Sequence, residues 1–207
     1  MIPKIKIECG PVNDIRTLNM SLSYVRRKIG VLVSGGLDSA LLYYLLQTLV
    51  DDRYTITPFT ITRNDGSNVH AQLVIDYVNH VLNKPKQIST ILSINEPDSN
   101  MQVAAGMREI IKQNVNVTYI GLIETLPIHC INVAGPYNPI DTDNFVYPFK
   151  NLNKSHIVDL IYKLNQTELF NITHSCVSEK NRCGICNRCN ERKWAFNQLG
   201  LTDPGTQ

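Results

Sequence analysis

Serine, glycine and aspartate residues that can bind phosphate lie close together in the first quarter of the sequence. They read Ser34-Gly35-Gly36-Leu37-Asp38-Ser39. Glycines let the backbone approach an anion closely, and the free N–H groups at the start of a helix favour negative charge. The serine hydroxyls can donate to phosphate oxygens, and Asp38 can cap a helix or hold Mg²⁺. We interpret residues 34–39 as a phosphate-binding loop; the alternative is an ordinary strand-to-helix turn that contains two glycines.

The residues on either side of this loop predict the strand and the helix that it requires. Residues 29–33 are apolar and rich in β-branched side chains, and leucines recur at helical spacing as far as Leu49. The lysine of the G-x-x-x-x-G-K-[ST] loop is missing, so the loop is not that of kinases. It resembles the S-G-G-x-D-S loop of the PP-loop ATP pyrophosphatases. That resemblance implies that the loop grips the β,γ-pyrophosphate of ATP, which is cleaved between its α and β phosphates.

Four of the six cysteines lie near the C-terminal end at metal-site spacing, C-x6-C-x2-C-x2-C. They are Cys176, Cys183, Cys186 and Cys189. Four thiolates can surround Zn²⁺ tetrahedrally at about 2.3 Å, and such a closed site is structural. An iron–sulfur cluster and unpaired or disulfide-bonded cysteines are the alternatives. We interpret the nearby His174 as incidental, because a fifth ligand is not needed.

Strand and helix patterns alternate along the chain after the loop. Strands are predicted at residues 29–33, 54–62, 87–92 and 117–123, with helices between them. Pro58 indicates that the second of these strands lies at a sheet edge or has an irregular ladder. The alternation predicts an α/β fold with a doubly wound, mostly parallel sheet. The resemblance of the loop to the PP-loop enzymes implies that this fold is like that of the adenine nucleotide alpha hydrolases. We place the PP-loop ATP-binding domain in residues 1–170 and a small C-terminal zinc knuckle in residues 171–207.

Residues at the carboxyl ends of the other strands are candidates for nucleotide binding. Ligands bind beyond these ends in parallel sheets, so the loops after Thr60 and Gly121 should meet the phosphate-binding loop. We include Gly121 in the nucleotide site for that reason. Phe59, Thr60 and Ile61 are candidates for lining the adenine, although they fit the core nearly as well.

Composition excludes some classes of function. The chain has 207 residues, 43% of them hydrophobic, which suits one main domain with a sizeable core. A formal net charge of +2 gives no electrostatic reason to expect nucleic acid. No apolar run is long enough to span a membrane, and the first four residues do not resemble a signal peptide. We therefore expect a cytoplasmic protein without membrane contact.

Several segments together resemble the 7-cyano-7-deazaguanine synthase family. Besides the loop they are Tyr147-Pro148-Phe149, Lys154-Ser155-His156-Ile157-Val158, Thr173-His174-Ser175-Cys176, Cys183-Gly184-Ile185-Cys186-Asn187-Arg188-Cys189 and Gly200-Leu201-Thr202-Asp203-Pro204. The resemblance implies a ligase that adenylates a 7-deazaguanine carboxylate and uses ammonia to form an amide and then a nitrile. It implies ATP, Mg²⁺ and Zn²⁺ as cofactors, with a homodimer as the expected assembly.

The resemblance also suggests which residues act in catalysis. Asp38 is the best magnesium candidate in the loop, and Ser39 is a phosphate donor beside it. Lys154 matches the family's lysine and can reach a phosphate; its alternative role is a solvated lysine in a first helical turn.

The middle of the sequence departs from the family and leaves the acceptor open. The family's aspartate-tyrosine-glycine-glutamine element is replaced at residues 60–63, its proline-glycine-arginine-asparagine element at 96–100, and its aspartate-rich loop shrinks to 121–130. Those elements hold the deazaguanine in the family. The first alternative to the family's own reaction is therefore a relative that uses another acceptor. Such a relative would stop at the amide, modify a tRNA base or conjugate a protein amine.

Three further patterns carry weaker functional interpretations. A non-catalytic zinc module that binds nucleic acid would use Lys180, Arg182, Arg188, Arg192 and Lys193, but Glu179 and Glu191 dilute that patch and favour a solvated face. Cys130 with His129 suggests a thiolate and its base, although neighbours on a strand face opposite sides. Arg108 is a candidate for binding a substrate carboxylate, or a solvated residue on an amphipathic helix.

Overall fold

The computed structural model describes residues 3–23, 25–62, 67–94, 96, 99–124, 143–176 and 182–206. Several sequence-based interpretations concern residues outside these ranges. They are the His129–Cys130 pair, Glu179 and Lys180. The turn that Asn64-Asp65-Gly66 predicts, and most of the active-site loop that the prolines between residues 124 and 148 predict, also lie outside these ranges.

An antiparallel hairpin precedes the main sheet. Its strands are β1 (Lys4–Cys9) and β2 (Arg16–Ser21), paired from Lys4 opposite Ser21 to Cys9 opposite Arg16. Alternate residues of β2, such as Leu18, are buried, so one face of the hairpin packs on the core.

The main sheet is parallel, as the sequence predicts. Its strands within the described residues are β3 (Lys28–Leu32), β4 (Thr55–Ile61), β5 (Thr90–Leu92), β6 (Val117–Ile120) and β7 (Phe145–Val146). Their order is β5-β4-β3-β6-β7, and every adjacent pair is parallel. The chain runs from β3 outward through β4 to β5 and then crosses to β6 on the other side of β3. The strand order therefore reverses beside β3, and this is where open α/β sheets bind ligands.

Helices cover both faces of the sheet, which confirms the doubly wound fold. They are α1 (Leu37–Leu49), α2 (Ser67–Val81), α3 (Ser99–Ile111), α4 (Lys154–Lys163), α5 (Leu169–Ile172) and α6 (Asn187–Gln198). Val31 and Val33 belong to a large core with residues of α1, α2 and α4, whereas Leu32 belongs to a second core with Met107 and Ile110 of α3. Alternate residues of a strand thus reach opposite helix layers. None of the described helices has the length and apolarity needed to cross a membrane.

Of the two interpretations of Pro58, the sheet edge is wrong and the irregular ladder fits the structure. β4 lies between β3 and β5, and β3 pairs with it from Lys28 opposite Thr55 to Leu32 opposite Phe59. On the other side, β5 pairs with β4 only from Phe59 onward. Pro58 lies before the point where the β4–β5 ladder begins. Its missing N–H therefore removes no hydrogen bond from that ladder.

The C-terminal segment packs closely on the rest of the fold. Phe170 of α5 meets Phe196 of α6 edge to face with ring centroids 5.0 Å apart. Arg192 is 2% exposed and donates from Nε and Nη2 to the carboxylate of Asp203 at 2.6 and 2.8 Å. The division at residue 170 stays a prediction; α5 spans it.

Candidate active site

The phosphate-binding loop connects β3 to α1 at the carboxyl edge of the sheet. Gly35 has a φ of +76°, a left-handed conformation that favours glycine. Gly36 is the N-cap of α1, and a Cβ there would meet only Ser34 Oγ at 3.5 Å and the His174 carbonyl oxygen at 4.0 Å. The loop therefore has the strand–turn–helix geometry that its sequence predicts, and apart from Gly36 and its chain neighbours no other atom of the described residues lies within 4 Å of that Cβ position.

The two loop serines hold the loop in shape. Ser39 Oγ donates to the Gly36 carbonyl at 3.0 Å and accepts the Ser34 backbone N–H at 3.1 Å. The Ser34 and Ser39 hydroxyls are 3.1 Å apart, and Ser34 Oγ accepts the Gly36 N–H at 3.4 Å. Ser39 is 5% exposed. Its phosphate-donor role stays a prediction, since in this structure its hydroxyl hydrogen bonds are within the loop.

The start of α1 is suited to an anion. Among the described residues, no side chain caps this helix, whose N-terminal residues are Leu37, Asp38 and Ser39. The first N–H groups of a helix have no partner within it and carry partial positive charge. Donors of this kind at a helix start are suited to binding a phosphate group.

Gly121 follows β6 and lies against the first turn of α1. A Cβ on Gly121 would lie 3.0 Å from the carbonyl carbon and oxygen of Asp38 and 3.1 Å from the Ser39 nitrogen. The loop after β6 therefore approaches the phosphate-binding loop, as parallel strand ends predict. A side chain at position 121 would crowd the α1 backbone, and a nucleotide contact for Gly121 stays a prediction.

The candidate adenine-lining residues of β4 lie in the core. Phe59 is 1% exposed and Ile61 is 3% exposed, and both belong to the apolar cluster under α3. Thr60 is 1% exposed, with its hydroxyl 3.1 Å from the Val33 carbonyl oxygen, to which it donates. The structure favours the core interpretation, so we withdraw these three residues from the proposed nucleotide site.

Three charged side chains from three helices meet at the loop. Lys154 is the first residue of α4, after the N-cap Asn153. Its Nζ donates to the two carboxylate oxygens of Asp38 at 2.7 and 2.5 Å and lies 3.5 Å from Glu191 Oε2. The Lys154 side chain is 5% exposed, and that of Glu191 is 18% exposed. The alternative of a solvated Lys154 is therefore wrong, and so is the interpretation of Glu191 as part of a solvated face.

Neighbouring charges decide the ionisation of this cluster. Burial opposes the charge on Lys154, but the carboxylates of Asp38 and Glu191 outweigh it and raise the pKa of Lys154 above its usual value. Burial also raises the pKa of Glu191, against the opposing effect of the Lys154 ammonium. Lys154 is accordingly a fixed positive charge beside the loop.

The four cysteines come together in space. Their Sγ atoms all lie within 4.8 Å of one another, with 3.6 Å between Cys176 and Cys183 and 3.9 Å between Cys176 and Cys186. A tetrahedral metal with bonds of about 2.3 Å places its sulfurs about 3.8 Å apart. The backbone N–H of Cys183 donates to Cys176 Sγ, and that of Cys186 to Cys183 Sγ, both at 3.3 Å. The donor set and its spacing therefore fit a four-thiolate metal site.

His174 connects the cysteine segment to the phosphate-binding loop. Its backbone N–H donates to the Gly35 carbonyl at 2.9 Å. Its ring stacks on His70 of α2, with centroids 4.6 Å apart and planes 11° apart. His174 thus supports the loop, and among the described residues it is not part of the group of possible metal ligands that the four cysteines form.

Comparison with known proteins adds a family to this geometry. Residues 129–200 match the family model described as queuosine biosynthesis protein QueC. This range contains Lys154, Glu191 and the four cysteines. The resemblance to the 7-cyano-7-deazaguanine synthase family is confirmed. The match lies outside the phosphate-binding loop, so the loop's own motif and the family match are separate observations.

Curated relatives named 7-cyano-7-deazaguanine synthase match parts of the chain. The protein from Methanospirillum hungatei is 41% identical over 58 residues, which are 28% of this chain and 26% of that protein. The one from Methanococcus maripaludis is 31% identical over 84 residues, which are 37% of this chain and 36% of that protein. The one from Nostoc is 40% identical over 62 residues, which are 30% of this chain and 26% of that protein. The matches thus span about a quarter to a third of the length of these relatives.

A solved structure is also similar. The NH3-dependent NAD synthetase from Campylobacter jejuni is 16% identical, with a TM-score of 0.44 over 70% of this chain and 67% of that chain. A likeness at this level carries no functional conclusion.

Proposed function

We propose that the protein is an ATP-dependent adenylating ligase that acts on a 7-deazaguanine carboxylate. The observation that carries the proposal is the contact of the buried Lys154 with Asp38 of the phosphate-binding loop. Support comes from the family match over residues 129–200. In the proposed reaction, the acid carboxylate attacks the α-phosphorus of ATP and releases pyrophosphate, and ammonia then displaces AMP to give an amide. A second ATP would then adenylate the amide oxygen with release of pyrophosphate, and loss of AMP together with the two amide N–H protons would give the nitrile.

The described residues have distinct roles in this proposal. The backbone N–H groups at the start of α1 hold the pyrophosphate, because they are donors without a partner inside the helix. The Asp38 carboxylate is the magnesium ligand, and Mg²⁺ would stabilise the negative charge that grows on the leaving pyrophosphate. Lys154 supplies a buried positive charge beside the same phosphates. Ser34 and Ser39 keep the loop in the shape that these contacts need.

We propose that Zn²⁺ is the metal of the cysteine cluster. Cys176, Cys183, Cys186 and Cys189 would fill all four positions, so the metal would hold structure and take no part in the reaction. Free thiolates suit a reducing compartment, and a cytoplasmic location is part of the proposal. The homodimer and the use of ammonia stay predictions.

The arginines that the structure describes in detail argue against the nucleic-acid alternative. Arg182 donates from Nη2 to the carbonyl oxygens of Phe170 and Thr173 at 2.9 and 2.8 Å, and Arg192 is buried against Asp203. Both guanidinium groups are engaged by the protein, so they are poor candidates for phosphate contacts. A relative with a different acceptor remains the second candidate, because the substrate-holding elements of the family are rewritten in the sequence.

The acceptor is tested by product analysis. With ATP, Mg²⁺, ammonium and 7-carboxy-7-deazaguanine, we expect AMP formation, with nitrile formed more slowly than by a 7-cyano-7-deazaguanine synthase that has all of its substrate loops. The reason is that a site without polar partners for a heterocycle binds it poorly, and such partners are worth ~10⁴-fold in discrimination. Mass spectrometry of the products measures the ratio of amide to nitrile.

The control acceptor is 7-deazaguanine, which lacks the carboxylate and should give no AMP above background. Nitrile formation as efficient as that of the complete relative would show that the departures at residues 60–63, 96–100 and 121–130 do not weaken binding of the base. AMP formation that does not respond to the acid would instead point to another acceptor.

A further inference from the structure

Helix α6 brings a carboxylate into the phosphate site from the metal-binding segment. Glu191 lies two residues after Cys189, and Cys186 is the N-cap of α6. Glu191 Oε2 lies 3.5 Å from Lys154 Nζ, while the same ammonium contacts Asp38 at 2.5 and 2.7 Å. The group therefore contains two carboxylates for one ammonium, and Lys154 is shared unequally between them.

This unequal sharing matters because Asp38 has two possible cations to bind. In this structure both Asp38 oxygens accept from Lys154. Under the proposed function, the same carboxylate would bind Mg²⁺ together with ATP. Lys154 and Mg²⁺ would then compete for the same oxygens, and the competition weakens the metal site unless the ammonium has another partner.

Lys154 needs a negative partner in either state, and Glu191 is one that the protein supplies whether or not the nucleotide phosphates are bound. Its side chain is 5% exposed, and a buried ammonium without a counter-charge is strongly unfavourable. Glu191 of α6 is already within ion-pair distance of the Lys154 ammonium, and the Glu191 side chain is 18% exposed. A small movement of the Lys154 ammonium toward Glu191 would release Asp38 without leaving the ammonium unpaired.

We propose that Glu191 is a positioning residue that holds Lys154 when Asp38 takes up Mg²⁺ with the nucleotide. The inference rests on the proposed function, since it assumes that ATP and Mg²⁺ bind at the loop. It adds a role for the metal-binding segment, because the cysteine cluster fixes the start of the helix that carries Glu191. The segment would thus complete the nucleotide site as well as stabilise the C-terminal part of the chain.

The test measures nucleotide binding, so it does not depend on turnover. We would titrate the whole protein with α,β-methylene-ATP by calorimetry over a range of Mg²⁺ concentrations. In Glu191→Gln, the Mg²⁺ concentration needed for half-maximal nucleotide binding should rise about tenfold, within the range of coupling between linked sites. Glu191→Asp, which keeps the charge, should recover part of that change. Glu109→Gln is the matched control, because it removes a carboxylate from an exposed ion pair with Lys112, and it should leave the Mg²⁺ dependence unchanged.

Metal content and melting temperature separate this role from a structural one. An unchanged Mg²⁺ dependence in folded, metal-loaded Glu191→Gln would overturn the proposal. Loss of the cysteine-bound metal in both Glu191→Gln and Glu191→Asp would also overturn it, since Glu191 would then act through the cluster. Failure of the wild-type protein to bind the analogue at any Mg²⁺ concentration would instead contradict the proposed function itself.

Discussion

Asp38→Ala is expected to reduce AMP formation by about 10³-fold, because it removes the only loop carboxylate that can hold Mg²⁺ beside the phosphates. That factor corresponds to about 4 kcal/mol of lost transition-state stabilisation. The measurement is the rate of acid-dependent AMP release at saturating ATP and Mg²⁺.

The same substitution removes the closest partner of Lys154, so a second variant must separate catalysis from folding. Asp38→Asn keeps the shape of the side chain and should lose activity to a similar extent while retaining a cooperative melting transition. Asp52→Ala, at an exposed position after α1, is the control and should keep wild-type activity. Near-native AMP release by folded Asp38→Asn would rule out Asp38 as the magnesium ligand.

Replacing one cysteine of the cluster should have the largest effect on the C-terminal segment. Cys186→Ser should lower the metal affinity by more than about 100-fold, because even the loss of groups that only hydrogen-bond to metal ligands costs about 10–100-fold. Metal binding and folding are coupled in such sites, so α6 should also become sensitive to proteolysis. Elemental analysis and limited proteolysis measure the two effects.

Cys9→Ser is the matched control for that experiment. Cys9 is a buried cysteine of β1 and is not one of the four clustered cysteines, so its replacement should leave one zinc per chain. Iron in place of zinc in the wild-type protein, or full zinc content in Cys186→Ser, would contradict the assignment of a four-cysteine zinc site.

Local patterns predict the loop and the cysteine cluster well. The features that predict the loop lie within a few residues of one another: the two glycines, the preceding apolar run and the helical leucines. The sequence around the loop is therefore enough to predict it. The cysteine spacing similarly predicts the four sulfurs that the structure brings within 4.8 Å. The parallel sheet follows from the alternation of strand and helix patterns, although β5 and β6 are shorter than predicted.

Long-range contacts account for what the sequence does not predict. Phe59 and Ile61 follow an apolar pattern that fits either a ligand pocket or a core, and only the position of α3 decides between them. Lys154 is polar and lies in a first helical turn, where lysines are usually solvated, yet α1 and α6 enclose it. No sequence pattern around Glu191 indicates its place in the site, because its partner Lys154 lies on another helix.

The position at which ATP is cleaved tests the central claim most directly. Phosphorus NMR of the wild-type protein with ATP, Mg²⁺, ammonium and 7-carboxy-7-deazaguanine would distinguish the two possible bonds. The account predicts AMP and pyrophosphate, appearing together and only when the acid is present. ADP and inorganic phosphate would contradict it, because the loop at residues 34–39 would then not be acting as a pyrophosphatase loop.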